Sequence, residues 1–502
     1  MKRGQLKEAT LAGVRWMAVA RVTVEVILLI STVILARLLT PAEFGRAAVA
    51  LITSSFALAL TSESFGAALV QRKDLKERHL ETAFLMSLAL GAGLAILTFA
   101  TAPIIAEPLF GKATVGLVQL AAPLFLFAGI NAVPNAILQR RLDFQRLSTI
   151  EMVSRATGAM VAIALALTGL NPEALVIGAV AGGFVSTVQL VIAVPLPRPR
   201  IGRSAIRDIG SFGLPAALSG LVRQTNRNVD YAILGATMAA TQVGYYWRAF
   251  QFGVEYQSKI SSIMLRIAFP VYSRTRNIAE MRRLRSRIVR AHATLLFPLQ
   301  AGLIATAPVL IPWLLGDSWK PAVLPMQILS IAGMTAVIMN GLGPLLLALG
   351  KPKALLWWNV ASLVPYAAMI YLIAPLGLIQ VCVGVVALRI LTLLIAHAFL
   401  FQRLAGIPMR RLWDDAGPAT ISSISLLGVS FPLVHWLSGV GAPPPVILTA
   451  AGIGGLSAYA LTLRLVFADA WSDILLLARR VLPDRWQRTS SPPLTEAPAA
   501  VR

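Results

Sequence analysis

Two long apolar runs carry charged residues at helical spacing. Arg223, Arg227 and Asp230 stand four and three residues apart in one run, and Arg248, Glu255, Lys259 and Arg266 seven, four and seven apart in the next. At about 100° per helical residue, the first set falls within an arc of about 60° and the second within about 40°. An earlier run holds Arg21 and Glu25 one turn apart, with Arg37 further along, and Glu63 lies in the run after that. Ionised side chains are costly in a bilayer and usually face a bundle interior or a water-filled cavity. The chemistry offered is recognition: a guanidinium fork binds phosphate oxygens bidentately. Arg21, Arg223, Arg227, Arg248 and Lys259 are therefore candidate ligands for an anionic cargo, a phosphate or pyrophosphate. Glu25, Glu63, Asp230 and Glu255 could titrate, or release the arginines, during a cycle, which would permit coupling to protons or sodium.

The competing account is interhelical salt bridges that only fix packing. Seven cations (Arg21, Arg37, Arg223, Arg227, Arg248, Lys259, Arg266) stand against four acids (Glu25, Glu63, Asp230, Glu255), an excess of three. Complete internal pairing cannot follow from that count, and an uncompensated positive field calls for an anion, water or both. Other chemistry is sparse. His79, His292, His397 and His435 are far apart, and the single cysteine, Cys382, lies in an apolar run, so neither a metal site nor a disulfide is expected. No cofactor and no catalytic set are read.

These charges must be positioned by membrane helices. Of 502 residues, 57% are hydrophobic and 13% charged, about half the charged share of a soluble domain. Mean hydropathy is +0.73. That excludes a soluble enzyme, a disordered chain and a fibrous repeat, and leaves an all-α polytopic membrane protein. Spans of about 20 apolar residues are read at 15–39, 45–70, 80–105, 113–138, 147–170, 174–195, 209–236, 241–268, 290–315, 321–349, 354–374, 378–402, 416–438 and 444–467, fourteen in all. The net charge of +23 is topological and not a nucleic-acid signature. With a cytoplasmic N-terminus, 33 of the 45 Lys and Arg fall in inside links, three (Arg46, Lys112, Lys320) in outside links and nine within spans. Both termini are thus expected in the cytoplasm, and the basic start through Met1 to Gly4 reads as the lead into the first span, not a signal peptide.

Pro41–Ala42–Glu43–Phe44–Gly45 and Ala240–Thr241–Gln242–Val243–Gly244 occupy equivalent outside links, 199 residues apart. Six spans separate them, an even number, which predicts parallel repeats about an axis along the membrane normal. The expected organisation is a lobe over 1–208, a second over 209–412, two added spans over 413–467 and a cytoplasmic interfacial and disordered tail over 468–502. Asn131, Pro134 and Asn135 in the fourth span, and Asn340, Gly341, Gly343 and Pro344 in the tenth, mark expected breaks or kinks. The link 270–290 reads as an interfacial helix. Arg37 reads as a snorkelling cation, and Trp313, Trp319, Trp436 and Tyr245–Tyr246–Trp247 as an aromatic belt.

The chain resembles a known family. Ile34 to Gly45 looks like the first hairpin of bacterial polysaccharide flippases, and so do Phe65 to Arg72, Pro134 to Phe144, and Asn228 to Tyr231. These segments are similar to the Wzx-like lipopolysaccharide and exopolysaccharide exporters of the MOP superfamily, which also holds MATE drug exporters and the lipid II flippase. The resemblance covers roughly residues 10–465. It implies two lobes in a V around a cavity lined by spans 1, 2, 7 and 8. It also implies cargo on undecaprenyl diphosphate, flipped from the cytoplasmic to the periplasmic leaflet of the bacterial inner membrane by alternating access, with cavity cations on the pyrophosphate. By position those are Arg21, Arg223, Arg227, Arg248 and Lys259. The expected partners are the lipid-linked oligosaccharide, membrane lipid and polysaccharide polymerase or export machinery. Three rivals stand beside this reading, one of them a scaffold with no transport role, for which neutralising the cavity charges would leave polysaccharide output intact. A cation-coupled small-molecule exporter of the same fold fits a cationic cavity poorly. A glycan polymerase or ligase would need outside catalytic acids, of which only Glu43, Glu107, Glu173 and Asp317 are available, in short links.

Overall fold

Inside a bilayer every backbone N–H and C=O must be satisfied within its own segment, so apolar runs of this length fold as helices. The computed structural model describes residues 22–61, 65–72, 74–261, 272 and 277–472. Among them are helices and turns and no strand. In order come α1 (22–38), α2 (Pro41–Thr61), α3 (Ala67–Gln71), α4 (Glu77–Phe110), α5 (Lys112–Ala121), α6 (Pro123–Arg140), α7 (Phe144–Leu167) and α8 (Asn171–Ala193). Then come α9 (Arg203–Thr237) and α10 (Ala240–Phe250), the latter continued through a π turn at Gln251–Glu255 to residue 261. The series closes with α11 (Ile278–Leu315), α12 (Val323–Met339), α13 (Leu342–Ala348), α14 (Pro352–Ile373), α15 (Leu378–Ala396), α16 (Arg410–Gly439) and α17 (Pro444–Val466). The described parts of the expected spans are mostly helical, with turns or bends inside several of them, as at 122, 168–169 and 340–341. Ten helices among the described residues are long and apolar enough to cross a membrane.

Two expectations about local structure are corrected. The fourth span does not break at Asn131–Asn135. It breaks at Ala122, between α5 and α6, where Pro123 sits in the first turn and loses no hydrogen bond, while Pro134 is carried inside the helix. The tenth span does break at Asn340–Gly341, as its sequence predicts. The link 270–290 is not a separate interfacial helix: residues 278–290 are the start of α11. No glycine or proline interrupts the chain from Ile278 to Phe297, so nothing stops the helix. Its 38 residues make about 57 Å at 1.5 Å per residue. That is nearly twice the bilayer core of about 30 Å, so one end must project beyond it. The expected amphipathic tail beyond Ser472 lies outside the described residues.

The chain divides into two compact units. The first comprises Met1–Phe252, Ala307–Leu329 and Pro352–Leu388. Its helices approach on small residues, with Ala47, Ala50, Ala102, Ala106 and Ala121 buried where α2, α4 and α5 meet. The start of α9 is tied down at Asp208, whose carboxylate accepts from Arg72 at 2.9 Å. The ring of buried His79 lies 3.3 Å from the same oxygen. Its other nitrogen accepts the Lys76 N–H, so Nε2 carries the proton toward Asp208. Arg140 donates to the Leu69 and Val70 carbonyls at the end of α3, capping that terminus as a cation should. Two of the segments that carry the family resemblance are thus scaffold that fixes α9. The second unit comprises Gly253–Thr306, Ser330–Lys351 and Arg389–Arg502. Its core gathers Val289, Leu296, Phe297, Val337, Leu393 and Ala419.

Candidate functional site

Within the first unit, α9 carries Arg223, Arg227 and Asp230 on one face, and the three meet different surroundings. Arg223 and Arg227 are exposed, one turn apart, each within electrostatic reach of the other. Asp230 is 1% exposed. Its carboxylate accepts from the Tyr246 hydroxyl at 2.9 Å, the Tyr366 hydroxyl at 3.2 Å and the Tyr231 backbone N–H at 2.9 Å. Tyr246 lies on α10 and Tyr366 on α14, so packing closes this face of α9 at Asp230 and leaves it open one to two turns earlier. Two like charges a turn apart repel, and the guanidinium geometry suits phosphate oxygens.

Helix α14 also reaches this face, which a reading of formal charge does not reveal. Asn226 donates to the Asn359 carbonyl at 3.1 Å. Asn359 and Tyr366, seven residues apart, lie within about 20° on their helix and both meet α9. The signal in the sequence is the set of polar residues at positions 359, 362 and 366 of an otherwise apolar span. A survey of charged residues alone passes over it.

Arg248 has a different environment. It is 3% exposed, with its guanidinium carbon 4.1 Å from the Phe44 ring centre, 5.1 Å from Trp247 and 5.8 Å from Trp319. It donates to the Gln251 side chain. Aromatic faces attract a desolvated cation strongly, and here they enclose it. The π turn at Gln251–Glu255 has a further consequence. A π turn adds about one residue to the helical repeat and so rotates the next turns of the helix by about 100°. The single stripe expected for Arg248, Glu255 and Lys259 therefore does not hold in the helix as folded.

The Arg248 enclosure belongs to a tight seam between the starts of α2 and α10. A Cβ on Gly45 would lie 1.8 Å from the Ala240 carbonyl oxygen, and one on Gly244 would lie 1.9 Å from that of Pro41. Each glycine is the fifth residue of its motif and rests on the first residue of the other, so the contact is reciprocal, as two symmetry-related repeats would make it. Glu43 completes a capping box with Thr40, accepting its N–H at 2.6 Å and its hydroxyl at 2.9 Å. Trp319 is fully buried and donates to the Ala36 carbonyl at 2.8 Å, and Tyr246 is fully buried as well. Neither is a belt residue, because each indole or phenol has an internal partner. Trp313 and Trp436, 42% and 63% exposed, keep belt exposure. Arg37 does not simply snorkel: its Nε donates to the Leu314 carbonyl at 3.0 Å at the end of α11, where a cation satisfies orphan acceptors.

The other candidates are distributed elsewhere. Glu25 is half-buried on α1. Glu255 and Lys259 lie in the second unit, both half-buried, with the Lys259 ammonium 5.0 Å from the Tyr256 ring. Arg21, Glu63 and Arg266 lie outside the described residues. Among the described residues no cluster of His, Cys, Asp and Glu could hold a metal ion.

Comparisons with known proteins agree with this architecture. The chain is 26% identical to the teichuronic acid biosynthesis protein TuaB of Bacillus subtilis over 374 residues, covering 73% of this chain and 77% of that one. It is 22% identical to the lipopolysaccharide biosynthesis protein WzxC of Escherichia coli over 441 residues, covering 86% and 89%. The fold is shared with the lipid II flippase MurJ in an inward closed conformation, with a TM-score of 0.73 and 13% identity over 90% of this chain and 99% of that one. A family model described as polysaccharide biosynthesis protein matches residues 34–324. That match takes in more than half of the sequence, and the chain belongs to the polysaccharide biosynthesis protein family as a polytopic all-α membrane protein.

Proposed function

We propose that this protein is a flippase. It carries an oligosaccharide linked to undecaprenyl diphosphate from the cytoplasmic to the periplasmic leaflet of a bacterial inner membrane, by alternating access, for exopolysaccharide or lipopolysaccharide synthesis. The observation that carries the reading is the exposed Arg223–Arg227 pair on a membrane helix, beside the buried Asp230. The names of TuaB, WzxC and MurJ support a lipid-linked sugar cargo. In this reading Arg223 and Arg227 hold the diphosphate, with Arg21 and Lys259 as further cationic contacts. The glycan crosses in a hydrated cavity between two six-helix lobes, and the polyprenyl chain stays in lipid. Arg248 belongs to the closed seam and not to the cargo site, and there it stabilises the packed outer ends of α2 and α10. Glu25, Glu63, Asp230 and Glu255 are the acids available for proton or sodium coupling. No covalent bond is made or broken, and the rival use of Glu43 as a catalytic acid is weakened by its capping role.

The test is flipping in proteoliposomes, with a short fluorescent oligosaccharide on undecaprenyl diphosphate followed by leaflet accessibility. Transport by the wild type that is lost in folded Arg223→Ala/Arg227→Ala supports the reading. Equal transport by both removes these arginines from the cargo site.

A further inference from the structure

In the second unit, two segments more than a hundred residues apart are locked into one face. The first is the basic start of α11, and the second is the link from α15 into α16. Arg285 and Asp415, each 1% exposed, pair at 2.9 Å, and the Ser286 hydroxyl donates to the same carboxylate. The Arg282 Nε donates to the Ala405 carbonyl at 2.6 Å. The chain turns there through Gly406 at φ +63°, and a Cβ at that position would collide with the Arg282 guanidinium. The lock orients what remains outside it. Arg282, Arg283 and Arg287 are exposed on one segment, and Arg403, Arg410 and Arg411 on the other. The exposed or half-exposed acids of the same segments are Glu280 and Asp414, the latter 3.9 Å from Arg410. Six cations less two acids leave an excess of four. Large apolar side chains stand among them: Trp413 is 61% exposed, Ile278 44% and Met409 39%.

We infer that this face is a docking site for the headgroups of anionic phospholipids of the cytoplasmic leaflet. The inference rests on the cytoplasmic placement that the distribution of basic residues predicts for these two links. Arginines at the headgroup level attract an anionic surface, and each adds to the association. Exposed Trp, Met and Ile beside them suit the boundary between headgroup and acyl chain. That apolar component favours a lipid over an acidic protein segment. The buried pair supplies the rigidity, because a face already ordered loses less freedom when it binds.

Native mass spectrometry of the full-length protein in detergent tests this, with phosphatidylglycerol and phosphatidylcholine of identical acyl chains as probes. The wild type is expected to retain phosphatidylglycerol at least about fivefold over phosphatidylcholine. Arg283→Gln/Arg287→Gln/Arg410→Gln is expected to bring the two to parity with its melting midpoint unchanged, because none of the three acts on the Arg285–Asp415 pair, whereas Arg411, whose charge reaches Asp415, is left in place. A wild type with no preference, or a variant that keeps it, overturns the inference. So does displacement of the lipid by millimolar inorganic phosphate, which would make this a site for free anions, or by polyglutamate, which would make it a protein-docking face. The readout needs no transport. A chain that retains the lipid preference but flips nothing keeps this inference and rejects the proposed function.

Discussion

Arg248 and the Arg223–Arg227 pair share a sequence description, arginine within an apolar helix, and have opposite environments in the same unit. Arg248 is enclosed by Phe44, Trp247 and Trp319 beside the reciprocal glycine contact. Arg223 and Arg227 stand exposed on α9. The enclosed guanidinium has its counterpart built in, as ring faces and an amide oxygen. The exposed pair sets like charge beside like charge, and in the proposed function the cargo's diphosphate lies over both. Charges sealed into the fold hold helices together, and in the proposed function the exposed ones meet the cargo.

The Arg285–Asp415 pair extends the sealed class, and the strongest expectation concerns it. Removing one partner of a buried pair strands the other, at a cost of about 3–5 kcal/mol. Asp415→Ala should therefore lower the melting midpoint in detergent more than substitutions at Gly244, Arg248 or the open pair, and Arg285→Met/Asp415→Leu should recover most of the loss. A mild Asp415→Ala would mean that water already reaches the pair, and the sealed class would lose this member.

Gly244→Ala comes next. A Cβ 1.9 Å from the Pro41 carbonyl forces α2 and α10 apart, and overpacking of this kind costs about 1–3 kcal/mol. A thermal melt showing no loss would mean that the seam is loose, which would undo the contrast at its closed end. Arg248→Met should cost about 2 kcal/mol, the scale of a desolvated cation over aromatic rings, and the melt should report it before transport does. Unchanged stability with abolished flipping would move Arg248 into the open class. Smallest in stability is Arg223→Gln/Arg227→Gln, expected within about 0.5 kcal/mol of wild type as for other exposed positions. Flipping by this variant should nevertheless fall at least about tenfold, since each lost charge-assisted bond is worth about 1.5–3 kcal/mol. A large stability loss at these two positions would make the pair structural and erase the distinction.

Much of the fold is legible in the sequence because its signals are local. Apolar length marks each span, and the break at Asn340–Gly341 comes from two poor helix formers in succession. The break in the fourth span is not legible at Pro134, because a helix tolerates that proline when neighbouring packing compensates. The site is half legible. Helical arithmetic finds the α9 stripe, but the same arithmetic fails on α10, where a π turn changes the residues per turn. Trp319 and Tyr246 read as belt residues because a sequence window contains neither Ala36 nor Asp230, their partners across the fold.

The sequence by itself determined that this is a polytopic helical membrane protein with seven cations and four acids placed in four of its apolar runs. Hydropathy and charge count add along the chain and need no partners. Only the tertiary structure decided which arginines are sealed and which are open, and that α14 joins the site. Those depend on what packs against a side chain from a hundred or more residues away. A cation enclosed by aromatic rings and a cation facing outward have the same charge and hydropathy in sequence, and differ only in their neighbours.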